Sequence, residues 1–287
     1  MTTIWAGLAL GSLYVLLALG YNFILIGAGV FNFAQAQMMM VGTYSAWWGA
    51  NKLGLPLGLV PLVGIVVGFI VGVIVHLVAI KPAISRPGNA VLVTTLGAAI
   101  VLDGVATRIF GTNPKGVDFW GTNDPVTILG GRVTPAQLAM IGVAIVGGAL
   151  FWALRAGTLI GMSAVAGSED RTAAMLRGIN VKRIALLSVG LAGAFAGAIG
   201  IVVAQQLQAV PTSGDALAVY AFVVLAIGGM GSGVGAVVGG ISVGLIQALT
   251  GRYIGGQYVD LVVFGVLLVV LLLRPSGLFV THRVRTV

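Results

Sequence analysis

The chain has 287 residues, of which 59% are hydrophobic and only 8% charged, with a formal net charge of +8 and no cysteine. A soluble domain carries about 25% charged residues, so a water-soluble globule is excluded, and the missing cysteine excludes disulfides, thiol catalysis and Cys-held metals. The positive charge does not point to nucleic acid, because most Lys and Arg fall in loops on one side of the apolar runs.

Several runs reach the 18 or more apolar residues that cross ~30 Å of hydrocarbon as a helix. The alternation of a β-barrel is absent. The chain therefore reads as one all-α, polytopic membrane domain over 1–287, with about 8–9 transmembrane segments. In order they are roughly 4–28, 34–52, 56–80, 89–110, 135–154, 183–207, 213–229, 233–250 and 255–273. The first Lys or Arg is Lys52, so 4–28 lacks the basic start of a cleavable signal and is expected to stay as a span. Two helical stretches are interrupted, near 27–37 and near 227–236. Such breaks point to the solute path of a transporter. The Pro-, Gly-, Asn- and Asp-rich stretch 111–134 reads as a loop, 155–182 as a second, and 274–287 as a tail.

Orientation follows from the basic residues. The loops 81–88 and 155–183 with the tail 274–287 carry ten Lys and Arg, and the other side carries five. The positive-inside rule makes the richer side cytoplasmic. The N-terminus is then external, the C-terminus cytoplasmic and 111–134 external.

Glycines recur at a spacing of four: Gly7 and Gly11; Gly64, Gly68 and Gly72; Gly193 and Gly197; Gly231, Gly235 and Gly239. They read as seams where helix backbones approach closely.

Chemistry is sparse. No Lys follows Gly and precedes Ser or Thr, so there is no phosphate-binding loop. His76 and His282 form no metal pair, and no Gly-x-Ser-x-Gly elbow occurs. "GSGVGA" (231–236) fits a loose dinucleotide pattern without the strand such a site needs. The chain reads as no enzyme and as holding no cofactor. Asp103 is the acid read as lying well inside a span. It either bonds locally to Thr107 or Arg108 or belongs to a pathway. Asn22, Asn32, Gln35, Gln37, Thr94, Thr95, Gln205 and Gln206 lie in or beside apolar runs. Each needs a hydrogen bond there, so each either glues helices together or lines a wet path. Of these, Asn32, Gln35, Gln37, Thr94, Thr95 and Gln205, with Asp103, Gly228 and Gly229 at the second break, are the candidate path residues.

"GSEDRTAAMLRGIN" (167–180) is a compact polar island. Ser168 is expected as the N-cap of a short helix over 168–178, with Glu169 and Asp170 in its first turn. Arg171 follows them. Arg177 suits the last turn and Gly178 a left-handed C-cap, with Ile179 making the hydrophobic contact that accompanies it. Ala173, Leu176 and Ile179 share a face. A small apolar face with a charged rim suits a partner's groove. The alternative is a solvated loop helix resting on its own spans.

A short cytoplasmic helix ending in Gly before a late span resembles the coupling helix of ABC importer permeases. "GLALGSLYVLLALGYNFILIGAGVFNFAQAQMMMVGTY" (7–44) resembles the opening of the branched-chain amino-acid importer permeases, with Val30, Phe31, Asn32, Phe33 and Ala34 in their Val-hydrophobic-Asn-Phe-Ala form. "RTAAMLRGINVKRIALLSVGLAGAFAGAIGIV" (171–202), "AIGGMGSGVGAVVGGISVGLIQAL" (226–249) and "LLLRPSGLF" (271–279) resemble the coupling loop, late Gly-rich turn and terminal motif of the same family, in the same order. The short N-terminus fits the shorter of its two permease types.

The resemblance implies a bacterial or archaeal plasma-membrane importer: two permeases, the second a related partner, two cytoplasmic ATPases that bind the ATP and Mg, and an external solute-binding protein. It also implies that residues 168–179 couple to the ATPases. The family commonly has His-Gly after Asn-Phe-Ala, where this chain has Gln35 and Ala36. The solute is then a branched-chain amino acid or another small polar molecule, such as urea or a short amide. The rival reading is a self-sufficient secondary transporter or channel.

Overall fold

In the computed structural model, residues 1–56, 58–86, 89–116 and 124–279 are described. They form eleven α-helices and one small hairpin. The helices are α1 (Thr2–Ala28), α2 (Gln35–Asn51), α3 (Val60–Val75), α4 (Ala90–Phe110), α5 (Pro135–Gly157), α6 (Leu159–Glu169), α7 (Arg171–Leu176), α8 (Val181–Leu207), α9 (Ser213–Gly228), α10 (Gly233–Tyr253) and α11 (Val259–Leu273). A π turn, His76–Ile80, extends α3, and a 3-10 turn, Gly256–Tyr258, leads into α11. Counting those extensions, seven helices are long and apolar enough to span a bilayer. The remaining two expected spans are shorter: α2 has 17 residues and α9 has 16.

Helix ends obey local chemistry. Gly29, at φ 69°, closes α1 by donating its N–H to Leu25 O. Thr134 and Gln137 form a reciprocal capping box at α5, with Pro135 at the first helical position. Asn180 accepts from Arg183 N at the start of α8, and Ser232 accepts from Gly235 N at the start of α10.

The centre of the bundle is α1 and α8, the most buried of the spans. Their neighbours are selected by glycine. Gly64, Gly68 and Gly72 of α3 meet Gly193 and Gly197 of α8 so closely that a methyl on Gly197 would overlap Gly64 O, and one on Gly193 would overlap Gly68 O. Gly7 and Gly11 of α1 meet α10 in the same way at Leu245 and Ile241, and Gly228 of α9 meets Gly235 of α10. Lipid offers no hydrophobic drive between helices, so such backbone proximity supplies the dispersion contact that holds them. The expected seams are present. Gly231 is the exception, because it sits in a break at φ 81° and not on a helix.

The loops depart from the reading of the sequence. Part of 111–134 is a hairpin, with Val126–Ile128 paired antiparallel to Gly131–Val133 across a turn at Leu129 and Gly130, both at positive φ. It is tied to the N-terminus: Arg132 N donates to Thr2 Oγ1 at 3.0 Å, and Trp5 Nε1 donates to Ile128 O at 3.3 Å. The stretch 155–182 is mostly helical. Thr158 ends α5 by donating to Leu154 O and starts α6 by accepting from Gly161 N. Gly161 allows the sharp elbow, since a side chain there would strike Leu154 O and Arg155 O. The hairpin and the α6–α7 elbow lie at opposite ends of the bundle, because α1 and α5 each run from the first toward the second.

Candidate functional site

Two places carry the expected site residues: the exposed elbow and a set of polar side chains around the helix breaks.

At the elbow, the short helix is α7, and its N-cap lies two residues later than the sequence suggested. Asp170, not Ser168, is its N-cap, with one carboxylate oxygen accepting from both Thr172 N and Ala173 N at 2.9 Å. Two charge-assisted bonds to orphan N–H groups outcompete a hydroxyl. Ser168 instead donates back to Val165 O within α6, and Glu169 is the last residue of α6. Arg171 opens α7, and Arg177 is its C-cap residue, just outside the helix. The C-terminal end is as expected. Gly178 is left-handed at φ 84° and donates to Met175 O, while Ile179 N reaches back to Ala174 O. Ala174 is the buried residue of α7. Ala173 faces outward with Leu176, which is 85% exposed, and Met175, which is 53% exposed; Ile179 is half-buried.

The break between α1 and α2 is pinned by Asn32 and Thr95. Asn32 is fully buried and its carbonyl oxygen accepts from Ala34 N at 3.0 Å. Thr95 of α4 accepts from Phe33 N at 3.3 Å. Gln35 donates to Ala192 O of α8 at 3.2 Å and occupies the space left by Gly20. Thr94 donates to Ala79 O of the π turn at 2.8 Å, so it ties α4 to α3. These bonds are made with backbone and tie helices together, while Asn32 Nδ2 and Gln35 Oε1 stay buried without a partner.

The break between α9 and α10 is held by Asn22 of α1. Its oxygen accepts from Gly231 N at 2.9 Å and its amide donates to Ser232 O at 3.1 Å. Gly229 lies in the same break at φ 99°. The tail after α11 seals it, with Leu278 N donating to Ile227 O and Phe279 N to Gly228 O. Asn22→Leu strands both backbone groups. It should destabilise the fold by about 2–6 kcal/mol, at 1–3 kcal/mol for each of the two unsatisfied groups, read as a lower melting midpoint in detergent. An unchanged midpoint would remove the clamp from the account.

The path candidates do not share one cavity. Asn32, Gln35 and Thr95 lie at the first break, Thr94 joins α4 to α3, Gly228 and Gly229 lie at the second break, and Gln205 sits near the end of α8 with its buried oxygen unpartnered. Asp103 and Gln37 do meet. Asp103 faces Asp215 and Gln37 rather than bonding to Thr107 or Arg108 in its own helix, and Gln37 Nε2 donates to Asp215 Oδ1 at 2.9 Å. Asp215 was missed in the sequence. Its signal was there: an acid three residues into the apolar segment 213–229, which reads as a harmless first-turn acid until α4 is placed beside it.

The family model for the permease component of branched-chain amino acid transport systems matches residues 3–272. The chain belongs to that family. BraD of Pseudomonas aeruginosa, a high-affinity branched-chain amino acid transport system permease protein, is 30% identical to this permease, covering 95% of this chain and 93% of its own. LivH of Escherichia coli K12, named for the same role, is 27% identical over 95% and 92%. A probable LivH of Methanocaldococcus jannaschii is 29% identical over 93% and 88%. Among solved structures, PsaBC from Streptococcus pneumoniae in complex with Fab matches at a TM-score of 0.51 and 16% identity, covering 96% of this permease and 93% of that chain. That last likeness concerns the fold alone. The resemblance drawn from the motifs is borne out, and with it the multi-pass, helical, permease character of the chain.

Proposed function

We propose that this permease forms the membrane path for a branched-chain amino acid, or a related small polar solute, in an ATP-driven importer. The observation that carries the coupling half of the reading is α7. It is a helix of 6 residues, capped at both ends, whose apolar Leu176 and Met175 stand in the open. Asp170, Arg171, Arg177, Lys182 and Arg183 surround them, all exposed. An apolar tip within a charged rim is what a groove in a partner recognises. Separate ATPases closing on ATP would push α7, and α6 and α8 on either side would carry the motion into the spans.

The solute half rests on the relatives: BraD and LivH are named for branched-chain amino acids. Lys and Arg concentrate at the α7 end, which the positive-inside rule makes cytoplasmic. The hairpin end, with the N-terminus, then faces the external solute-binding protein, and a second permease completes the path.

The test is reconstitution in liposomes. L-leucine should accumulate only when the chain is combined with its companion permease, ATPases, binding protein and ATP. Uphill accumulation by the chain alone would establish a self-sufficient carrier and overturn the reading.

A further inference from the structure

The meeting of Asp103, Asp215 and Gln37 has no structural need that the fold explains. Asp103 is thirteen residues into α4 and seven before its end, about 20 Å and 10 Å along the axis at 1.5 Å per residue. That places a carboxylate well inside the apolar slab. Asp215 is exposed on the surface of this subunit and Asp103 is partly so. Acids at such depth face a wet cavity or a partner, not lipid, because hydrocarbon cannot solvate them. The floor of the group is Gln37, 1% exposed, given room by Gly214, where a Cβ would come within 2.9 Å of its amide nitrogen.

The hydrogen-bond accounting is lopsided. Gln37 spends its N–H on Asp215 and turns the same amide toward Asp103. Its own oxygen, on that amide carbon, is buried with no partner, and so is Asp103 Oδ1. Ionised carboxylates only accept. The group thus has a surplus of acceptors and negative charge, and among the described residues no Lys, Arg or His stands against Asp103 to offset it. Among the described residues no third His, Cys, Asp or Glu gathers with the pair as a metal shell would need. A protonated amine answers the surplus: it brings one positive charge and three N–H donors in a tetrahedral fan.

We propose that Asp103, Asp215 and Gln37 form a station for a primary ammonium group on the transport path. Asp103 and Asp215 provide the charge, and Gln37 holds the Asp215 carboxylate and adds its free oxygen as a third acceptor. The inference rests on the permease reading and narrows it: a solute carrying an ammonium group is held here, whereas urea or a neutral amide brings donors but no charge.

The test uses the complete importer in lipid nanodiscs, with methylammonium chloride as the probe of the station and L-leucine as the probe of transport. Methylammonium should bind and raise the melting temperature of the unaltered complex, while tetramethylammonium, which has no N–H, and sodium should not. Asp103→Asn and Asp215→Asn should each weaken methylammonium binding by about tenfold or more, as loss of one partner from a hydrogen-bonded charge pair does. Asp103→Glu should restore part of it. Absence of methylammonium binding, an equal response to tetramethylammonium or sodium, or unchanged binding in both Asn variants would each overturn the station. Uptake separates this from the broader reading. If L-leucine is carried by the unaltered importer and equally well by both Asn variants, the station fails and the permease reading stands. If methylammonium binds as expected but L-leucine is not carried, the station stands and the amino-acid reading fails.

Discussion

Leu176→Asp should abolish ATP-driven solute uptake while leaving the permease folded and inserted. Leu176 is 85% exposed at the tip of α7, so it contributes almost nothing to the packing of this chain. Its replacement therefore costs little folding free energy, and insertion, yield and melting temperature stay near those of the parent. What it removes is an apolar anchor from the α7 tip and what it adds is a charge where a groove must be desolvated. Central anchors of this kind carry about 2 kcal/mol or more of an interface, which is roughly thirtyfold in affinity. Uptake by the reconstituted importer should fall to the background, and the ATPases should no longer co-purify with the permease or respond to loaded binding protein. Ala173→Arg, which crowds the same face, should act alike. Full transport by both variants would show that α7 is a surface loop helix and move the coupling elsewhere.

The second large effect is in the seam between α3 and α8. Gly193→Leu places a side chain where the Cβ alone already collides with Gly68 O and crowds Gly72. The obstacle is backbone, which cannot rotate aside as a flexible side chain would. Overpacking of this kind costs about 3 kcal/mol at the upper end of its usual range, a large share of a stability of about 5–15 kcal/mol. Expression should drop and the melting temperature in detergent should fall by several degrees or more. Gly104→Leu on α4 is the matched control, because nothing lies within 4 Å of a Cβ there. It should leave stability unchanged. Equal tolerance of the two substitutions would show that the seam does not hold the bundle.

Much of the architecture was legible because it depends on local rules. Apolar runs longer than the bilayer is thick gave the spans, and glycine spacing picked out faces that the structure does bring together. The left-handed cap at Gly178 followed from a glycine after a helical stretch. The misreadings have physical causes of the same scale. Ser168 and Asp170 are both competent caps, and only the second places its oxygen against two free N–H groups. The stretch 155–182 reads as loop because it is short and mixed in polarity, but Thr158 and Gly161 turn the chain sharply from α5 into α6, and Asp170 separates α6 from α7. The hairpin at 126–133 is held partly by Thr2 and Trp5 from the other end of the sequence, which no local window contains.

The sequence by itself determined that this chain lives in lipid as a helical bundle, that it lacks a nucleotide loop of its own and that it shares the motifs of a permease family. Those properties come from composition, period and short-range order, which survive in a string of letters. Only the tertiary structure decided which polar groups find a hydrogen bond and which are left without one. Asn22 and Thr94 proved to be spent on backbone, while Asp103, Asp215 and Gln37, from three separate helices, proved to meet with acceptors to spare. The reason is that a hydrogen bond is satisfied or unsatisfied according to distance and direction, and helices far apart in the chain set both.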